Sequence, residues 1–146
     1  ENGEKYVEEK HVFIAKSNVE YDAVVETLKT LPLQTKVLLL SITLLKESGS
    51  TQATTGDVFE AYKNLANSAN IPVLTLRRIT DMLSDLDMLG IVSAKVKSMG
   101  RYGRTKVIDL SISSVEAKRV ILEDENLSRL RNYSFVKQSR LFFDSG

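Results

Sequence analysis

Thr75-Leu76-Arg77-Arg78-Ile79-Thr80-Asp81-Met82-Leu83-Ser84-Asp85-Leu86-Asp87-Met88-Leu89-Gly90 runs directly into Ile91-Val92-Ser93-Ala94-Lys95-Val96-Lys97. The first part reads as a helix with Thr75 as its N-cap, a position that favours side chains able to accept from a free backbone N–H. Leu76, Ile79, Leu83 and Leu86 follow at steps of three, four and three and form one apolar stripe. Projected at about 100° per residue, Arg77, Arg78, Asp81 and Asp85 fall on the opposite face. Gly90 stands where a left-handed C-terminal cap belongs. Two strands follow, over residues 91–97 and 105–110. The loop between them, Ser98-Met99-Gly100-Arg101-Tyr102-Gly103-Arg104, has two glycines that permit a tight hairpin.

Reading outward, Thr54-Thr55-Gly56-Asp57 has the spacing of a capping box. The helix it opens runs to about Ser68, with Val58, Tyr62 and Leu65 on one face, and Asn67, Asn70 and Pro72 end it. Residues 33–47 are apolar nearly all round, the mark of a helix buried on most sides. Pro32 precedes this helix and Ser48-Gly49-Ser50 stops it. Two further helices are expected over residues 4–16 and 20–31. A last one is expected over residues 114–132, with Val115, Val120 or Ile121, Leu127 and Leu130 available for docking. The predicted fold class is mainly α with a small β-hairpin, a winged helix carrying an extra N-terminal helix and a C-terminal helix. The expected divisions are residues 1–19, 20–132 and a tail over 133–146.

Composition narrows the function. With 146 residues, 42% hydrophobic and 27% charged, the chain is of ordinary globular make-up. It has no cysteine, so disulfides and thiolate metal sites are excluded, and its single histidine, His11, lies in a polar stretch and reads as solvated. Val37 to Leu45 is far short of the ~20 residues of a membrane span. No secretory signal pattern opens the chain, and the expected location is cytoplasmic. The net charge is only +1, but residues 95–106 hold Lys95, Lys97, Arg101, Arg104 and Lys106 without an acid. A local cluster of this kind makes a directional field.

In a helix-turn-helix elaborated with a wing, the third helix of the core enters the major groove, which admits a helix and displays a distinct pattern for each base pair. Arg77 and Arg78 stand in the first turn of that helix; the competing reading is a solvated face that pairs with Asp81 and Asp85 across turns. The basic Gly-containing loop suits phosphate tracking or minor-groove entry. Tyr102 is placed to pack on sugar or base edges, or else to cover the hairpin. The candidate DNA-binding residues are Thr75, Arg77, Arg78, Lys95, Lys97, Arg101, Tyr102, Gly103, Arg104 and Lys106. No carboxylate pair or nucleophile–base set stands out, so no catalytic residue and no bound metal or cofactor is expected.

Residues 54–110 resemble the C-terminal winged-helix domain of the archaeal origin-recognition initiators, relatives of the eukaryotic replication-licensing ATPases. The likeness rests on Thr54-Thr55-Gly56-Asp57-Val58 with Tyr62-Lys63, Leu74-Thr75-Leu76-Arg77-Arg78-Ile79, Leu86-Asp87-Met88-Leu89-Gly90-Ile91-Val92 and Gly100-Arg101-Tyr102-Gly103-Arg104-Thr105-Lys106. Thr30-Leu31-Pro32-Leu33-Gln34 resembles the family's entry to this domain, and residues 1–19 resemble more loosely the end of its ATPase lid. The resemblance implies sequence-specific binding of double-stranded DNA at replication origins, nucleoid association in an archaeal cytoplasm, and contact with other replication proteins. It also implies an AAA+ ATPase module that binds ATP and magnesium. This chain has no Gly-x-x-x-x-Gly-Lys-Ser/Thr loop to cradle a phosphate, so it reads as an isolated, monomeric, non-enzymatic C-terminal fragment.

The alternative function is a winged-helix transcriptional regulator, which usually needs a symmetric dimer matched to two half-sites; no long coiled-coil pattern supports one. A protein-binding winged helix is the third possibility, and its wing would be neutral or acidic. Gln138 to Phe143 reads as a docking peptide for a replication partner or as a tail that packs or frays.

Overall fold

The computed structural model describes residues 21–98 and 100–134, with the backbone alone at Tyr102. The expected helix over 4–16, His11 and the tail after Ser134 lie outside the described residues. The chain divides into two compact units, residues 1–31 and 32–146. In the first, helix α1 covers residues 21–30. The second contains α2 (Leu33–Glu47), β1 (Ala53–Thr54), α3 (Thr55–Ser68), α4 (Leu76–Met88), β2 (Val92–Ser98), β3 (Arg104–Leu110) and α5 (Ser114–Ile121), with short 3-10 turns at Gly100–Tyr102 and Ser128–Leu130.

Helix α2 is the hub, packed on α3, α5 and β3. Every residue from Val37 to Leu44 is buried. That run includes Ser41 and Thr43, whose hydroxyls donate to the carbonyls of Val37 and Leu39 at 2.9 and 2.8 Å. Bonding four residues back lets two polar side chains sit in the core without an orphaned donor.

Three helices end by one device. After α2, α3 and α4 the residue past the cap has a positive φ: Gly49 at 93°, Asn70 at 58° and Gly90 at 76°. At each end two backbone N–H groups turn back to the last carbonyls, as Gly90 does to Asp87 and Ile91 to Leu86, both at 3.0 Å. This is the Schellman arrangement, and buried Leu86 and Ile91 supply its accompanying apolar pair. The capping box at Thr54 is complete: Asp57 N–H donates to the Thr54 hydroxyl at 3.2 Å, and Thr54 N–H donates to the Asp57 carboxylate at 3.0 Å.

The sheet has strand order β1-β3-β2, all antiparallel, and β1 pairs Ala53 with Ile108 and Thr54 with Val107. Strand β1 is an addition to the two strands expected. The final helix stops at Ile121, well before residue 132. Asp124 explains the stop: its carboxylate accepts from Asn126 N–H at 2.9 Å and from Lys36 Nζ at 3.0 Å. Such a local side-chain bond offers the backbone an alternative to the helix. Val115, expected to dock, is 68% exposed, while Val120, Ile121, Leu127 and Leu130 are buried.

The turn before α4 is held from within. Tyr62, fully buried on α3, donates its hydroxyl to Gln34 Oε1 and accepts from Leu74 N–H at 3.0 Å. Gln34 Nε2 in turn donates to the Pro72 carbonyl at 2.7 Å. Burial pushes the Tyr62 phenol above its ordinary value, with the Leu74 bond pulling the other way. Tyr62→Phe should cost about 1–3 kcal/mol, because it leaves Leu74 N–H and Gln34 without their partner; urea melting of parent and variant checks this.

Asp124 is held below the ordinary carboxylate value of 3.8, first by the Asn126 N–H and then by Lys36. A group with a lowered folded value stabilises above its unfolded value and loses that contribution as pH falls through the folded one. Acid melting of the parent should therefore steepen below about pH 4, and Asp124→Asn should be less stable at neutral pH and lack that component.

Candidate nucleic-acid interface

Helix α4 begins on Thr75, whose hydroxyl accepts from Arg78 N–H at 3.3 Å. Ile79, Leu83 and Leu86 are buried and fix one face. Leu76, expected in that stripe, is instead 47% exposed. It lies next to the cap, where the turn after Ile71 has already carried the chain away from the core. The outward ridge is Arg77, Asp81, Ser84 and Met88, all exposed, with Arg78 and Asp85 beside it. The pairing offered for Arg77 and Arg78 with Asp81 and Asp85 does not form among the described residues.

Register decides which way the wing's cations face. Strands β2 and β3 pair Ser98 with Arg104, Val96 with Lys106, Ala94 with Ile108 and Val92 with Leu110. These pairs share the face whose lower end, Val92, Ile108 and Leu110, is buried against the helices. Arg104 and Lys106 thus continue the core-facing side past the edge of the core. Lys95 and Lys97 pair with Val107 and Thr105 and lie on the opposite face. There they line an open cleft of about 360 Å³ with Thr51, Gln52 and Asp109. Their closeness in sequence groups all these cations together; the period-two alternation separates them. The tip turns at Gly100 and Gly103, with φ of 66° and 82°, and Gly103 N–H donates to the Gly100 carbonyl at 3.1 Å. Arg101 is exposed in this turn.

A contrast runs through the cations of the described residues. Lys29, Lys36, Lys46, Lys63, Lys118 and Arg119 each lie within 4.0 Å of a carboxylate. Arg77, Arg78, Lys95, Lys97, Arg101, Arg104 and Lys106 form no such pair among the described residues, nor do Arg129 and Arg131 near the C-terminal end. Of these nine, seven belong to α4 and the wing. No group of three or more potential metal-ligating side chains occurs among the described residues, and no described helix is long and apolar enough to cross a membrane.

A helical core whose last helix follows a short turn and leads into an antiparallel basic hairpin is a winged helix-turn-helix module. The family described as the CDC6 C-terminal winged helix domain matches residues 26–120, and the chain belongs to that family. It is 45% identical over 140 residues to an ORC1-type DNA replication protein of Thermococcus kodakarensis, covering 96% of this chain and 34% of that protein. It is 46% identical over 138 residues to the protein of the same name from Pyrococcus furiosus, covering 94% and 33%. Among solved structures, the Aeropyrum pernix ORC1 protein in complex with DNA matches with a TM-score of 0.77 and 40% identity over 83% of this chain and 31% of that one. The chain thus spans about a third of the length of these relatives, and the likeness to archaeal initiators drawn from residues 54–110 holds.

Gly90 joins the helix to the wing. A Cβ there would meet nothing within 4 Å, so only the positive φ demands glycine. Gly90→Ala should cost about 1–2 kcal/mol, the penalty of an L-residue in the left-handed region, and Gly90→Asn less, since asparagine visits that region more readily. Thermal melting of the two variants gives the order.

Proposed function

We propose that this domain binds double-stranded DNA at replication origins, as the C-terminal reader of a larger initiator. The observation that carries the reading is the unpaired state of the exposed cations on α4 and the wing. Among the described residues outside this surface, nearby carboxylates neutralise most lysines and arginines; along this surface the cations are left for an outside partner. The Aeropyrum relative, solved with DNA, supports the choice of partner.

In this reading α4 enters the major groove by its first turn. Arg77 and Arg78 project there, and a planar guanidinium suits the paired acceptors O6 and N7 of guanine. Thr75 uses a hydroxyl lone pair on the cap and keeps its O–H for a phosphate. Arg104 and Lys106, on the core-facing side of the wing, and Arg101 at its tip meet phosphates of the same duplex. Gly103 lets the tip backbone approach closely. Lys95 and Lys97 face the other way and add mainly to the long-range field. The domain acts as a monomer on its site and requires no cofactor of its own. Binding of ATP and magnesium falls to a part of the initiator outside these 146 residues, as do contacts that recruit other replication proteins.

The test is the salt dependence of binding to duplex DNA. Each phosphate contact adds about −0.9 to the slope of log affinity against log salt. Arg101→Ala/Arg104→Ala should flatten that slope by roughly one to two units while melting within about 0.5 kcal/mol of the parent, since both side chains are exposed. An unchanged slope and affinity in a normally melting variant would take the wing out of the interface. Selection from a random duplex pool should return a repeat motif of origin type; a palindrome would point instead to a transcriptional regulator.

A further inference from the structure

The outward ridge of α4 carries a carboxylate at its centre. Asp81 stands one helical turn after Arg77 on the same ridge, exposed, and among the described residues its carboxylate forms no ion pair with Arg77, Arg78 or any other cation. A free carboxylate facing a polyanion lowers affinity unless it meets a donor. The major groove offers few: guanine presents O6 and N7, thymine presents O4, and all of these are acceptors that repel a carboxylate. Adenine has an amino donor but sets the N7 acceptor beside it. Cytosine presents its N4 amino group alone.

We infer that Asp81 is a specificity-determining residue that accepts a hydrogen bond from the N4 amino group of a cytosine and rejects the other bases at that position. The inference rests on the reading of α4 as the helix in the major groove. Four residues of helix rise about 6 Å, and base pairs stack about every 3.4 Å. The cytosine therefore lies within about two base pairs of the guanine met by Arg77. The acid then costs some affinity for all sequences and returns it at the matching one, which widens the gap between right and wrong sites.

The experiment selects bound duplexes from a random pool with the parent chain, Asp81→Ala, Asp81→Asn and Arg77→Ala, with melting measured for each. Asp81 is exposed and outside the core, so all four should fold. The parent should prefer cytosine at one position by roughly fivefold or more. Asp81→Ala should lose that preference. Asp81→Asn should move it toward adenine, because a side-chain amide pairs with adenine N6 and N7 together. If Asp81→Ala and Asp81→Asn instead bind every sequence more tightly with an unchanged motif, Asp81 is only a repulsive charge and the inference falls. If Asp81→Ala alters only the guanine position, the carboxylate positions Arg77 and the inference falls as well. Arg77→Ala separates this failure from that of the wider reading. A motif changed by Arg77→Ala but not at residue 81 sinks Asp81 alone; a motif changed by neither removes α4 from the groove.

Discussion

The hydroxyl of Tyr62 is the point on which the placement of α4, and with it the proposed binding surface, depends. It lies in the core, yet it bonds to two segments that are distant in sequence: Gln34 at the start of α2 and Leu74 in the turn before α4. Gln34 adds the bond to the Pro72 carbonyl. A turn of irregular backbone cannot satisfy all of its own polar groups, and here side chains from two other helices supply the partners. A single phenol and a single amide here fix the entry of α4 by three hydrogen bonds.

The two kinds of charge in the domain do different work. Lys36 with Asp124 is a nearly enclosed pair at 3.0 Å, and Lys118 with Glu47 links α5 to the end of α2 at 3.2 Å. The Lys46 ammonium reaches both the Leu110 carbonyl and the Asp109 carboxylate, at 3.0 and 3.7 Å, so it ties α2 to the foot of β3. Exposed pairs contribute little to stability, a median of about 0–1 kcal/mol, and their larger effect is to cancel charge across that side of the surface. The cations of the wing, lacking such partners and with no acid between residues 95 and 106, keep their field. A near-neutral net charge and a local basic region thus coexist because charge and pairing are uneven over the described residues.

Much of this was legible in the sequence. The caps at Thr54, Thr75 and Gly90 rest on interactions within a few residues, and the stripe of Ile79, Leu83 and Leu86 on helical period alone. What was hidden depended on distant partners. Nothing near Asp124 shows that Lys36 waits across the core to favour the turn that ends α5, and nothing near Ala53 announces a strand, because its two residues pair with β3 more than fifty positions on. Leu76 and Val115 were misplaced for a shared reason: each lies in the first turn of its helix, where periodicity is still satisfied but the core surface has run out. The facing of the wing's cations was concealed differently. Composition counts charges, whereas only the register sorts them, and a slip of one residue would exchange the two faces.

That register is secured at one end only. Val92, Ile108 and Leu110 are buried at the foot of the hairpin, and Ser111 N–H donates to the Ile91 carbonyl at 2.9 Å to close it. From Val96 onward the paired strands carry exposed or half-exposed side chains, and neither face meets core. The ladder there is held by backbone hydrogen bonds and by the two glycines that turn the tip. A hairpin anchored at its foot and bare at its tip keeps its facing through the register alone. Helix α4 is held more firmly, by buried Ile79, Leu83 and Leu86 and by the hydrogen bonds of the turn before it. In the proposed interface, the residues that would read bases thus sit on the element with the buried anchors, and those that would meet phosphates, which look alike at every step, on the one anchored only at its foot.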